Sequence, residues 1–114
     1  MDSNETYIEE KSLLGACISS KEMYYKISSR IDAEDFQLAS HKIIFDNIQE
    51  MRNNGDLVNA TIFRDSLNKK KLLERVGGDM SLMEIFSYEP LPDEVDCYIN
   101  TVKDKSLSVR FLDY

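Results

Sequence analysis

His41, Ile44, Phe45, Ile48 and Met51 recur at steps of three and four residues, the spacing that lays one apolar stripe along an α-helix. A strand would scatter the same side chains over both of its faces, so this stretch commits the chain to helix packing. Ser40, just ahead, is placed to cap the helix with its hydroxyl, and Gly55 in "NNG" is placed to end it in the left-handed conformation. The stripe also holds the single histidine of the sequence. Fold and function are therefore first in question at one residue.

The same period runs through nearly the whole chain. Tyr7, Leu14 and Ile18, widened by Leu13 and Cys17, predict a first helix from about Asn4 to Ser19. Tyr24, Ile27 and Ile31 predict a short second one, capped by Ser19 or Ser20. "DAEDFQLAS" interrupts the pattern before Ser40. Asn59 is placed to cap a helix carrying Ile62, Phe63, Ser66 and Leu67, and Lys69, Lys70 and Lys71 read as its solvated end, where the helix dipole favours cations. Gly77 and Gly78 read as a structural stop and turn, and Asp79 as the cap of a fifth helix with Leu82, Ile85 and Phe86. "EPLP" stops that helix, because proline disfavours helical geometry in the residue before it. A sixth carries Val95, Ile99, Val102 and Val109 on one side, with Tyr98, Leu107 and Phe111 nearby. No internal repeat and no strand-like alternation is present, so the predicted class is all-α.

At 114 residues, 42% of them apolar and 31% charged, the chain is long enough for one domain with one modest core. Its 21 acidic side chains against 14 basic ones give a net charge of −7. Nucleic-acid binding draws on basic groups that neutralise phosphates, so a protein partner is expected and a free-standing DNA or RNA binder is not. "NKKKLL" is the one basic stretch that would speak for DNA. Cys17 and Cys97 have neither zinc nor redox spacing and are expected to be buried thiols. The acidic N-terminus and the lack of a long apolar run predict a cytoplasmic chain with no membrane contact.

Candidate chemistry is sparse. His41 has no Ser-His or Cys-His signature around it and reads as a structural imidazole; a small helical enzyme would rest on it and scattered carboxylates alone. The patterns GxxxxGK[ST] and GxGxxG are absent, so "VGGD" is a turn and no phosphate loop. Asp32, Glu34 and Asp35, and Asp93, Glu94 and Asp96, lack the ligand order of a calcium loop and are expected to be solvated caps and turns. Neither a catalytic residue nor a cofactor or metal site is predicted. Tyr24 and Tyr25 are adjacent and cannot both face the core, so one is a weak interface candidate. Phe111 and Leu112 are the stronger ones, because a helix ending on apolar groups needs something to cover them.

The order of segments resembles the N-terminal domain of DnaB-type replicative helicases of bacteria and their phages. Glu10, Leu14, Gly15 and Ala16 fit an E-x-x-x-LGA pattern; Asp35 and Phe36, then His41, Ile44 and Phe45, fit a "DF" pair followed by H-x-x-IF. Val76, Gly77 and Gly78 fit the "VGG" turn, and Tyr98, Val102, Lys103 and Lys105 fit the last helix. The likeness extends from about Glu9 to Leu112. Leu57, Val58 and Asn59 replace a "PID"-type segment, and "IFSYEPLPDEVD" lacks a "PSAAN"-like stretch, which suggests a divergent member of phage or plasmid origin.

The resemblance implies a compact orthogonal bundle of about six helices, a single head domain over residues 1–114 whose last helix leads into a missing hairpin and a C-terminal motor domain. It implies a non-catalytic part of a replicative helicase. ATP and Mg would belong to the motor domain, and DNA would be met only through the parent protein. The implied partners are further copies, as a dimer or a hexameric collar, together with primase and a helicase loader. The alternative is a stand-alone phage protein that mimics this domain and modulates a host helicase.

Overall fold

A computed structural model describes the backbone of residues 7–112 and the side chains of residues 7–108. The helices are α1 (Ile8–Ser19), α2 (Lys21–Ser28), α3 (Ala39–Asn53), α4 (Ala60–Lys69), α5 (Gly78–Phe86) and α6 (Pro92–Leu112), with short 3-10 turns at Ala33–Asp35 and Glu74–Val76. No strand occurs among the described residues. The predicted start of the first helix at Asn4 falls outside them.

Side-chain caps start two of the helices. The Met23 backbone N–H donates to Ser20 Oγ at 3.2 Å and the Ile62 N–H to Asn59 Oδ1 at 2.8 Å, so Ser20 and Asn59 start α2 and α4 as predicted. Two other starts differ from expectation. Leu38, in extended conformation and without a side-chain cap bond, precedes α3, so Ser40 already lies inside the first turn. The chain thereby reaches helical geometry two residues ahead of His41. Gly77 precedes α5 with φ 100°, a left-handed turn that reverses the chain unaided. The Asp79 carboxylate is free to accept from Arg64 instead, Nε to Oδ1 at 2.6 Å.

Packing centres on α1. Leu13, Leu14, Ala16, Cys17 and Ile18 are all at most 3% exposed, so the helix is enclosed on every side and not along one stripe. It touches α2, α3, α4, α5 and α6. Gly15 permits the tightest of these approaches: a Cβ there would stand 2.5 Å from the Tyr88 carbonyl oxygen and 2.6 Å from that of Ile85. Ile44, Phe45, Ile48 and Met51 of α3 and Val95, Ile99 and Val102 of α6 close around it, as their spacing predicts. Cys97 does not follow Cys17 into this core. It is exposed, because it sits on α6 midway between Val95 and Ile99, on the opposite side of the helix.

Candidate functional site

His41 stands in the first turn of α3, with its ring toward α1. Its Nδ1–H donates to Glu10 Oε1 at 2.7 Å, and the Gln37 backbone N–H donates to Oε2 of the same carboxylate at 2.8 Å. Both side chains are nearly enclosed, at 4% and 5% exposure. The rings of Tyr7 and Phe36 meet the imidazole edge-on with centroids at 6.1 and 6.4 Å. Glu10 thus ties α1, the loop after the 3-10 turn and α3 together, and neither oxygen is left to face a substrate. Spacing alone put His41 on the stripe; its partner lies 31 residues earlier, and no local pattern reports that.

A second buried carboxylate contradicts its expected solvation. Asp32 and Glu34 are exposed as predicted, whereas Asp35 is 0% exposed. Its Oδ2 accepts from the Asp32 backbone N–H at 2.8 Å and from Lys103 Nζ at 3.1 Å, and its Oδ1 accepts from the Ser106 hydroxyl at 2.7 Å. Burial alone would raise this carboxyl, but the three donors outweigh it and hold Asp35 below the usual carboxylate range. Ser106 is the residue the sequence reading missed. Between Val102 and Val109 the next place on the stripe is 106, and a serine there looks like a gap in the stripe when it is a continuation by other means.

Asp93, Glu94 and Asp96 are exposed at the start of α6. Among the described residues, no group of three or more His, Cys, Asp or Glu side chains converges as a metal site. No described helix is long and apolar enough to cross a membrane. Gly77 and Gly78 both take positive φ, 100° and 76°, in the turn before α5.

The outer surface sorts the interface candidates. Tyr24 is buried and its hydroxyl donates to Asn53 Oδ1 at 3.5 Å; Tyr25 is 53% exposed with the Lys21 ammonium 5.9 Å from its ring centre. The side chains of Phe111 and Leu112 lie outside the described residues. Larger exposed apolar groups occur elsewhere: Met80 at 85% and Met83 at 68%, both on α5. Asp79, Leu82, Met83 and Phe86 line a groove together with Ala60, Thr61 and Arg64 of α4. The two methionines stand three residues apart and off the Leu82/Ile85 stripe, a signal already present in the sequence.

Comparison with known proteins gives these features a lineage. A family model described as the DnaB-like helicase N terminal domain matches residues 3–104. The chain belongs to this family. A solved structure of the N-terminal domain of DnaB helicase from Mycobacterium tuberculosis is similar at a TM-score of 0.85 and 27% identity, covering 92% of this chain and 76% of that one. The replicative DNA helicase DnaB of Pasteurella multocida is 29% identical over 98 residues, 86% of this chain and 21% of that protein. That of Mycobacterium leprae is 27% identical over 104 residues, 91% of this chain and 17% of that protein. The DnaB-like domain thus spans about a fifth of the length of such relatives. Glu10, His41 and Asp35 lie within the matched stretch, Lys103 falls just inside its end and Ser106 just beyond it.

Proposed function

We propose that this DnaB-like domain is the head of a replicative helicase, a non-catalytic module that assembles subunits and docks primase or a helicase loader. The observation that carries the proposal is the family match over residues 3–104, supported by a fold shared at a TM-score of 0.85 with a DnaB N-terminal domain. In this reading ATP and Mg are handled by a separate motor domain in the cytoplasm, and DNA is engaged only through it. Pairing of heads holds motor domains at a high effective concentration, and the assembled heads present a composite surface to the partner. The net charge of −7 favours a protein partner over a phosphate backbone. Exposed Tyr25, Met80 and Met83 supply apolar groups for such contacts.

Sedimentation of the chain over a concentration series, together with capture of a primase domain, tests the proposal. A mass that rises with concentration, or capture of primase, is the expected result. Met80→Asp with Met83→Asp is expected to weaken it while changing stability by no more than about 0.5 kcal/mol, as for surface sites. A strict monomer that captures neither primase nor the remainder of the helicase would overturn it. Capture of a host helicase by a protein whose reading frame stops at Tyr114 would favour the mimic instead.

A further inference from the structure

Two successive stretches of α6, up to Val102 and from Lys103 to Ser108, are held to the body by different means. Val95, Ile99 and Val102 are at most 2% exposed and pack in the apolar core. Beyond Val102, among the described side chains, no apolar group is buried: Leu107 is 41% exposed, and Asp104, Lys105 and Ser108 are exposed. Among the described side chains, what holds residues 103–108 is polar. Ser106 and Lys103 both donate to Asp35, and Lys105 Nζ lies 4.0 Å from Glu9 of α1.

We propose that Asp35 is a latch for residues 103–108 of α6, which open as a unit while the rest of the domain stays folded. An apolar stripe peeled from a core exposes surface that water disfavours at every step. A carboxylate differs: buried, it requires all of its donors, and once the helix lifts, water replaces them. The closed state is then a directional, well-satisfied network, and the open state strands no charge. Asp35 is anchored from its own side by the Asp32 N–H, so the 3-10 turn keeps its shape when α6 departs. Opening re-aims the outer end of α6 relative to the bundle. The latch is a property of this fold whether or not the domain pairs or docks.

Native-state hydrogen exchange of the whole chain in rising urea tests it. Amides of residues 103–108 are expected to open with a smaller urea dependence than those of α1 and α3, the mark of a local event. Ser106→Ala removes one donor from the helix side. It is expected to speed exchange at 103–108 about tenfold and to leave the α1 and α3 amides unchanged. Alanine is the better helix former, so faster exchange there cannot come from a weaker helix. Asp35→Asn is expected to act in the same direction and more strongly; should that variant fail to fold, Ser106→Ala decides alone. The proposal is overturned if 103–108 open only with the urea dependence of global unfolding, or if Ser106→Ala exchanges there at the wild-type rate. Fraying of a helix end that ignores Asp35 would give the latter result.

Discussion

Replacing His41 with glutamine would break a bond that the buried Glu10 carboxylate receives on Oε1, leaving the Gln37 N–H on the other oxygen. An under-partnered buried acceptor costs about 1–3 kcal/mol. The expected outcome for His41→Gln is a urea midpoint lowered by that amount at unchanged slope; an unaltered midpoint would refute the structural role given to the imidazole. The two thiols separate in the same way. Burial pushes the Cys17 thiol far up, the nearby Arg52 charge offsetting part of this, while Cys97 is exposed. A native-state thiol titration is expected to show one fast-reacting group and a second only on unfolding, and simultaneous reaction of both would contradict the packing of α1. At this scale the sequence revealed which residues lie on a stripe, so adjacency alone told that Tyr24 and Tyr25 must divide between core and solvent. It could not reveal partners. Glu10 and His41 meet, and Asp35 is buried, through tertiary contacts between distant segments, and periodicity carries no record of those.

Elements were the most legible level, because period and caps are local. The stripes of α3 and α6 and the starts of α2 and α4 follow from spacing, Ser20 and Asn59. The starts of α3 and α5 shifted because a capping residue is only one way to begin a helix: an extended Leu38 and a left-handed Gly77 did so first. The enclosure of α1 was missed for a related reason. Ser12, Gly15 and Ala16 look neutral in a hydrophobic pattern, yet small residues are what let neighbouring backbones come close. Gly15→Ala puts a methyl within 2.6 Å of two carbonyl oxygens, and neither belongs to a flexible side chain. Overpacking of this kind costs about 1–3 kcal/mol. Gly15→Ala is expected to lower the thermal midpoint clearly, and a midpoint within error of wild type would show that α1 and α5 can part without cost.

For the whole molecule, the Cα radius of gyration of 13.4 Å is near the roughly 13 Å expected for a compact domain of about 100 residues, and its stability carries a signature of Asp35. Because the folded carboxyl is held below its ordinary value, the native state binds its proton less readily than the unfolded chain. The stabilisation is therefore fully present above the ordinary aspartate value of about 3.9, shrinks as pH falls below it, and is lost beneath the folded value. The stability difference between wild type and Asp35→Asn is expected to be constant from neutrality to about pH 5 and to narrow on further acidification. A difference that widens in acid would reverse the sign assigned here. Family membership was legible at this scale too, since motifs in a fixed order survive where single residues do not identify anything. Which surface meets a partner was not, because exposure is decided by how helices assemble.

The central position of α1 has a consequence for the order in which the domain is made. Synthesis delivers the N-terminal segment first, so the helix that ends most enclosed is the earliest of the described helices to enter water. Its covering partners follow in turn, and α6, against which it packs most extensively, is the last described element to emerge. Until α6 emerges, Leu13, Leu14, Cys17 and Ile18 are therefore without their final cover, and the domain can close around them only when α6 arrives.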